Sequence, residues 1–349
     1  MNQKVRYHVA CCTDDNYVQA CGVLLCSLFE NNPNSRFHVH ILIEEISEKN
    51  KQLFLSLVTV YDVLCTFHVV DVSRLEGVRF RDKIPLTKAA YYRLLLASIL
   101  DESVLKVLYL DCDMVVAGDV SPLFRLELNG YALAAVRDCK TIPLSETHRF
   151  QLDFSYEDDY FNSGLMMVNL DFWRKERVEP LLLEYAKRER IVFFHDQDAL
   201  NYVFKGKWFR ISPKWNRMNM VVMDFSVFQT KKDKREYVED VRIIHYATLG
   251  DLKPWKNISL IPLRCEYLRY KALTPWKNEP LQPVKTSKAF LYGVLLSFYI
   301  DDFFTRSPLL LKIPYTIVKD TLYPQLALTD IKFFRKFFKC IPRTYHNIE

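Results

Sequence analysis

The stretch KVLYLDCDMVV, Lys106 to Val116, places two aspartates, Asp111 and Asp113, inside a run of apolar residues. In a β-strand successive side chains point to opposite faces, so both aspartates are predicted to lie on one face and Cys112 on the other. Two like charges on one face repel each other unless a cation lies between them. The spacing therefore predicts a metal ion, although two solvated carboxylates at the end of a strand would give the same pattern.

Strand-like and helix-like segments alternate over residues 5–72. The strand-like segments are VRYHVACC (5–12), RFHVHILI (36–43) and LCTFHVVDV (64–72), and the helix-like ones are YVQACGVLLCSLFENN (17–32) and SEKNKQLFLSLVTVY (47–61). This alternation is typical of an α/β fold with a largely parallel sheet covered by helices. Such sheets bind ligands at the carboxyl ends of their strands. Polar clusters fall at predicted strand ends: TDDNY (13–17), DCD (111–113) and His245.

Composition limits the class of protein. The chain has 349 residues, of which 50% are hydrophobic, so it can bury a sizeable core. Its formal net charge of +6 is modest and argues against a nucleic-acid binder. The nine cysteines show no CxxC spacing, which favours buried reduced thiols over disulfides. The N-terminus turns acidic where a secretory signal would stay apolar, so we expect a cytoplasmic protein.

One alternative for the aspartate pair is a phosphatase of the haloacid dehalogenase type. LYLDCDMV satisfies the hydrophobic-DxDx(T/V) pattern, in which the first aspartate, here Asp111, attacks phosphorus. Such enzymes usually carry the motif on their first strand, and the chain shows no convincing later lysine and paired-acid motif. This signal is therefore weak.

Five further motifs point to another class. They are TDDNY (13–17), AAYYRLLLASIL (89–100), FNSGLMMVNLDFWR (161–174), HDQDALN (195–201) and KPW (253–255). With the DCD motif they closely resemble glycosyltransferase family 8, in the same order, over residues 5–256. The resemblance implies an A-type glycosyltransferase fold, which is Rossmann-like, and retaining transfer of a hexose, galactose or glucose, from a UDP-sugar. An inactive relative that binds a sugar nucleotide without transferring the sugar is the alternative within this class.

The resemblance also implies roles for individual residues. Asp111, Asp113 and His245 match the metal ligands, a set suited to Mn²⁺, with Mg²⁺ as the alternative. The other residues implied to bind the donor are Cys12, Thr13, Asp14, Asn16, Tyr17, Arg93, Cys112, Asn162, Ser163, Gly164, Gly250 and Lys253. Among them, Tyr17 is implied to stack on uracil and Lys253 to contact the diphosphate.

Several of these residues have structural alternatives. Tyr17 could begin the buried face of the first helix, and Asp14 or Asp15 could cap that helix. His245 could be a core histidine. Arg93 lies in an otherwise apolar helix, where an unpaired guanidinium would be costly, so we expect a phosphate or carboxylate partner.

The sugar end of the site is implied to contain Asp138, Asn162, Ser163, Asp196 and Gln197. Gln197 matches the residue nearest the reacting carbon. An amide is a poor nucleophile, so we favour front-face substitution, in which the leaving phosphate helps to deprotonate the acceptor hydroxyl. Asp138 and Asp196 are the alternative catalytic carboxylates.

Glycine and spacing add two expectations about this site. Gly164, after a turn-like FNSG, is expected to allow close approach of the hexose. HYATLGDLKPW has two more residues between His245 and Gly250 than the family commonly has, so we expect the metal ligand and Lys253 to be less tightly linked. Cys112 and Ser163 stand where the family often has alanine, which leaves galactose and glucose open.

The C-terminal segment differs in composition from the rest. We predict a catalytic domain over residues 1–280 and a C-terminal helical membrane-association region over 281–349. In DIKFFRKFFKCIPR (330–343) a helix would place its phenylalanines on one face and its basic residues on the other. The sequence AFLYGVLLSFYI (289–300) is too short to span a bilayer. We favour peripheral binding to the anionic inner face of the membrane, which suits a lipid-linked saccharide acceptor. A helix docked on the catalytic domain is the alternative.

Overall fold

The computed structural model describes residues 6–78, 88–138, 146–188, 193–218, 230–248, 250–259 and 261–285. Within them the strands are β1 (Tyr7–Cys12), β2 (Phe37–Ile43), β3 (Leu64–Val69), β4 (Lys106–Leu110), β5 (Met114–Val116), β6 (Leu133–Arg137), β7 (Phe161–Asn169), β8 (Trp208–Arg210), β9 (Arg217–Met218) and β10 (Ile243–His245). The α-helices are α1 (Val18–Glu30), α2 (Glu48–Val60), α3 (Leu96–Ile99), α4 (Ser121–Phe124), α5 (Glu146–Leu152), α6 (Leu170–Lys175), α7 (Val178–Lys187), α8 (His195–Val203), α9 (Lys231–Glu239) and α10 (Arg264–Lys271). The five elements predicted over residues 5–72 are confirmed.

The main sheet has seven strands in the order β3-β2-β1-β4-β7-β6-β8. The first four are parallel to one another, and β7 runs antiparallel to both β4 and β6. A second sheet of three strands, β5-β10-β9, follows directly from the main one, because only three residues separate the end of β4 from the start of β5. The prediction of a largely parallel sheet with covering helices is confirmed.

Hydrophobic residues cover both faces of the main sheet. One cluster joins α1 and α2 to the sheet, and a larger one packs α3, α6, α7 and α8 on the other side. A third cluster holds α1 and α10 against the second sheet. Helix α1 is therefore buried nearly all round, which explains its uniformly apolar sequence.

Arg93 does not lie in a regular α-helix. The motif that carries it forms a 3₁₀ segment, Lys88–Leu95, followed by the short helix α3. This segment crosses the ends of the central strands and directs Arg93 into the interior, where it is 5% exposed.

Three further predictions concern the whole chain. The seven cysteines within the described residues are free thiols, five of them buried, as expected. No described helix is both long enough and apolar enough to cross a bilayer. The basic, aromatic tail lies outside the described residues, so the boundary at residue 280 and the helical appendage stay predictions.

Candidate active site

Asp111 and Asp113 lie at the junction of the two sheets. The prediction that both lie inside one strand is wrong, because β4 ends at Leu110 and Asp111–Asp113 form a turn before β5. β5 pairs with β10 in a register that places Met114 opposite His245. The second sheet thereby brings His245 beside the two aspartates.

The three side chains form a compact set of ligand atoms. One ligand atom from each of Asp111, Asp113 and His245 lies within 4.8 Å of the others. His245 Nε2 is 3.3 Å from Asp113 Oδ1 and 3.9 Å from Asp111 Oδ2. Two carboxylates and one imidazole are ligands that fit Mn²⁺, so these residues suit the predicted metal.

Two buried cations balance the aspartates. Lys253 Nζ donates to Asp113 Oδ2 at 2.5 Å, and Arg93 Nη2 lies 2.8 Å from Asp111 Oδ1. Burial alone would raise the pKa of Asp113, but Lys253 and His245 outweigh it and hold that pKa well below its usual range. Lys253 and His245 both contact Asp113, so this carboxylate joins them despite the longer spacing, and a looser link than the family commonly has stays a prediction.

A chain of hydrogen bonds through two asparagine side chains fixes the orientation of His245. Asp138 Oδ2 can only accept, so Asn162 Nδ2 donates to it at 3.1 Å. Asn162 Oδ1 then accepts from Asn216 Nδ2 at 2.9 Å, and Asn216 Oδ1 accepts from His245 Nδ1 at 3.0 Å. When Nδ1 donates to Asn216, His245 directs Nε2 at the aspartates, and Nε2 is the atom that would bind a metal once it carries no proton.

Gly164 lies against the predicted metal ligands. A Cβ at this position would be 2.5 Å from His245 Cε1 and 2.8 Å from Asp111 Oδ2. Strand β7 begins at Phe161, so the sequence FNSG opens a strand and not a turn. The structure thus explains the glycine by the approach of His245 and Asp111, and close approach of the hexose to Gly164 stays a prediction.

The predicted sugar-end residues form one buried network. Gln197 Oε1 accepts from the Ser163 backbone N at 2.9 Å, and Gln197 Nε2 donates to Asp138 Oδ2 at 2.9 Å. Arg93 Nε lies 3.1 Å from Asp196 Oδ2, which confirms the expected carboxylate partners of Arg93.

Asp196 holds its proton more tightly than an ordinary carboxyl group does. Burial raises its pKa to about 6, and Asp111 adds to this effect, whereas Arg93 only partly offsets it. A carboxyl with such a pKa changes charge near neutral pH, a property common at functional sites.

A cavity of about 530 Å³ opens beside this network. It is of the size that takes a small-molecule ligand. Eleven of the predicted donor-binding residues line it: Cys12, Thr13, Asp14, Asn16, Tyr17, Arg93, Asp111, Cys112, Asp113, Gly250 and Lys253. Asn162, Ser163, Gly164 and His245, with Asp138, Asp196 and Gln197, are not among the lining residues and form the polar layer described above.

The predicted uridine segment follows β1. Asp14 Oδ1 accepts from the backbone N of Asn16 at 2.9 Å and of Tyr17 at 3.1 Å, so Asp14 stabilises the turn before α1. Asp15 instead bonds Ser47 at the start of α2. The ring of Tyr17 meets Trp255 edge to face, with centroids 5.5 Å apart, at the cavity wall.

Sequence reasoning missed three residues of the site. Tyr109 donates to Asp111 Oδ1 at 2.9 Å and lies under the Arg93 guanidinium, and its position two residues before Asp111 was the available signal. Trp255 was within a quoted motif but had no role. Asn216 had no sequence signal, because only the pairing of β9 with β10 brings it to His245.

Comparisons with known proteins agree with this geometry. The chain is 29% identical to general stress protein A of Bacillus subtilis over 276 residues, covering 76% of the chain and 93% of that protein. It is 26% identical to a lipopolysaccharide 1,2-glucosyltransferase of Escherichia coli over 260 residues, covering 74% and 75%. It is also 25% identical to a lipopolysaccharide 1,3-galactosyltransferase of Salmonella typhimurium over 275 residues, covering 76% and 78%.

The fold matches that of solved glycosyltransferases. The galactosyltransferase LgtC, in complex with donor and acceptor sugar analogues, superposes with a TM-score of 0.68 at 22% identity, covering 78% of this chain and 99% of that one. This likeness confirms the predicted A-type glycosyltransferase fold. The profile of glycosyl transferase family 8 matches residues 8–259. The phosphatase alternative is not favoured, and the chain belongs to glycosyl transferase family 8.

Proposed function

We propose that the protein is a metal-dependent, retaining hexosyltransferase that moves galactose or glucose from a UDP-sugar to a saccharide acceptor. The observation that carries this proposal is the convergence of Asp111, Asp113 and His245 beside a cavity that the two aspartates, Tyr17 and Lys253 line. The related lipopolysaccharide glucosyl- and galactosyltransferases support a hexose donor and a cell-surface oligosaccharide acceptor.

Charge supports the choice of a diphosphate ligand. Asp111, Asp113 and Asp196 carry three negative charges, and Arg93 and Lys253 carry two positive ones in contact with them. A divalent metal held by Asp111, Asp113 and His245, Mn²⁺ in this proposal, would add two positive charges beside these carboxylates and supply electrostatic stabilisation to the departing diphosphate.

The chain's own residues position the donor. Tyr17 offers a ring to the uracil, and Asp14 holds the turn that presents it. The Lys253 ammonium can move from Asp113 to a diphosphate oxygen, where it would stabilise the charge that builds during bond breaking. Asp196 and Asn162 lie at the polar end, where hydroxyl groups of the hexose can bond to them.

Gln197 is poorly placed to act as a nucleophile. Its oxygen accepts from Ser163 and its nitrogen donates to Asp138, so the amide is held at both ends. We therefore propose front-face substitution. The acceptor oxygen bonds to the anomeric carbon, the bond from that carbon to the phosphate oxygen breaks on the same face, and the acceptor proton passes to the leaving phosphate.

The proposal also gives the C-terminal segment a role in bringing the acceptor to the enzyme. We propose that the basic, aromatic tail binds an anionic membrane surface and thereby keeps the catalytic residues near a lipid-linked saccharide. Most of that segment lies outside the described residues, and this part of the proposal is independent of the donor site.

A donor assay tests the central proposal. The full-length protein is incubated with UDP-glucose or UDP-galactose and Mn²⁺, and release of UDP is measured with and without chelator. Asp111→Asn or Asp113→Asn is expected to lower turnover by on the order of a hundredfold, since each removes a hard ligand. Asp119→Asn, at an exposed aspartate beyond β5, is the matched control.

Three results would count against the proposal. Full activity of either variant, or in chelator, would exclude the metal assignment. Binding of UDP-sugar without any release of UDP would indicate an inactive relative. Release of inorganic phosphate from sugar phosphates would instead favour the phosphatase.

A further inference from the structure

Four histidines lie together on the sheet, away from the active site. His8 is on β1, His38 and His40 are on β2, and His68 is on β3. His8 pairs with His38 in the parallel register, and His38 and His40 are two residues apart on one strand, so their side chains point to the same face. His40 is buried, and the other three are half-buried.

The rings of this histidine cluster contact one another through their nitrogens. His8 Nδ1 is 3.0 Å from His40 Nε2, and His40 Nδ1 is 3.0 Å from His68 Nε2. His8, His38 and His40 each offer one nitrogen, and these nitrogens lie within 4.8 Å of one another. Imidazole nitrogens as close as those of His8, His38 and His40 can serve as a set of metal ligands, while His8, His40 and His68 form a hydrogen-bonded row.

We propose that His8, His38 and His40 bind a borderline transition metal ion of the Zn²⁺ class, with water at a fourth position. Imidazole suits Zn²⁺, Ni²⁺ and Cu²⁺, whereas the carboxylates of the active site suit Mn²⁺ and Mg²⁺. The two sites therefore sort metals by ligand chemistry. In a tetrahedral site with Zn–N bonds of about 2.05 Å, ligand nitrogens lie roughly 3.3 Å apart, so His8 and His40 need to separate by only about 0.3 Å.

The outer hydrogen bonds fit the proton positions that such a site requires. His40 Nδ1 can donate to His68 Nε2, which leaves the lone pair of His40 Nε2 for the metal. His38 Nε2 lies 2.8 Å from Thr66 Oγ1, so His38 can donate there and use Nδ1 as its ligand atom. Metal-bound histidines usually donate their second N–H to a neighbouring group in this way. His38 and His40 can therefore bind the metal as neutral rings, and each needs at most a change of tautomer.

The protonation of the cluster supports the same conclusion. Burial, with like-charge repulsion from its three neighbours, lowers the pKa of His40 to about 3. Burial lowers the pKa of His8, His38 and His68 as well. All four imidazoles are therefore neutral at pH 7, the form that binds metal.

The site would join β1 to β2 well away from the catalytic residues. His8 precedes Cys12, which lines the donor cavity, by four residues of β1, or about 13 Å at 3.3 Å per residue. The inference does not depend on the proposed function, and its test measures metal binding rather than turnover.

The experiment uses full-length protein carrying Asp111→Asn and Asp113→Asn, which removes the two carboxylate ligands of the proposed active-site metal. Co²⁺ is titrated as a spectroscopic probe, and Zn²⁺ is used to displace it. We expect one equivalent of Co²⁺ with the visible absorption of a tetrahedral site. Adding His8→Gln and His38→Gln should weaken binding at least a hundredfold, and His68→Gln alone should weaken it roughly 10–100-fold because it removes an outer partner.

Circular dichroism checks that the histidine variants fold. If they do not, X-ray absorption at the zinc edge of the protein with intact histidines counts the imidazole ligands directly, and three are expected. Three results would overturn the proposal: no Co²⁺ or Zn²⁺ binding, binding unchanged in folded His8→Gln/His38→Gln protein, or a zinc ion with oxygen ligands only.

Discussion

Replacing Asp196 by asparagine should stabilise the metal-free protein above pH 6. Burial and the nearby Asp111 raise the pKa of Asp196 from 3.8 to about 6 in the folded chain. The native state therefore holds this proton more tightly than the unfolded state, and stability falls as pH rises from about 4 to about 6. At ~1.36 kcal/mol per pKa unit, ionisation of Asp196 reduces the free energy of unfolding by roughly 3 kcal/mol.

The measurement is the difference in unfolding free energy between Asp196→Asn and wild type, followed by urea unfolding from pH 4 to pH 8. Asparagine carries no titrating proton, so the difference should be smallest near pH 4. It should rise by about 3 kcal/mol in favour of the variant by pH 7. Chelator is present throughout, because a metal on Asp111 would change the charge beside Asp196.

The pH dependence separates titration from the other effects of the amide. The attraction of Arg93 for the ionised carboxylate is already part of the raised pKa of Asp196, whereas a difference in packing between the amide and the acid would shift the curve by the same amount at every pH. A difference that stays flat between pH 4 and pH 7 would refute the raised pKa. Asp119→Asn, at an exposed site, controls for the aspartate-to-asparagine change itself. We also expect Asp196→Asn to lower turnover, so this residue would trade stability for function.

Three other changes test the metal site and the tail. Gly164→Ala would press a methyl group against His245 and Asp111, so Mn²⁺ affinity, measured by electron paramagnetic resonance, should fall about tenfold or more. Unchanged affinity would contradict the geometry. Asn216→Ala removes the hydrogen bond to the His245 ring and should weaken Mn²⁺ binding roughly 10–100-fold. A variant that binds Mn²⁺ as tightly as wild type would show that this hydrogen bond does not orient His245. Truncation after residue 285 should release the protein from anionic vesicles and spare UDP-sugar hydrolysis, whereas equal vesicle binding by both chains would count against the membrane role of the tail.

Local pattern was enough to predict the strands and helices of the N-terminal half of the main sheet. Apolar runs of strand length alternate there with longer amphipathic or apolar segments, and the order alone indicates parallel pairing. The same reasoning failed at Asp111 and Asp113, because a chain that leaves one sheet for another reads like one continuous strand. Which sheet a strand joins depends on distant partners, here β10, and no local pattern carries that information.

The candidate site likewise contains some residues that local sequence pattern predicts and others that it does not. Charged motifs with fixed spacing were enough to predict Asp111 and Asp113 as metal ligands, since their residue types suit a metal. No sequence pattern predicts the residue that orients His245, because Asn216 comes to this histidine only through the pairing of β9 with β10. Gly164 was singled out, but its neighbours could not be known before β7 was placed beside β4.

Metal and donor binding should be coupled through Lys253. Its ammonium is held by Asp113 and by the carbonyl oxygen of Tyr246, so the proposed metal and Lys253 compete for the same carboxylate. A diphosphate that draws Lys253 away leaves Asp113 to the metal, and a metal on Asp113 repels Lys253 toward the diphosphate. Each ligand must then raise the affinity of the other by the same factor. Lys253→Met removes the competitor, so UDP binding should weaken and this coupling should shrink, while Mn²⁺ affinity without UDP stays the same or rises. A Lys253→Met protein that binds Mn²⁺ less tightly in the absence of UDP, by titration calorimetry, would show that the lysine organises the metal ligands instead of competing for them.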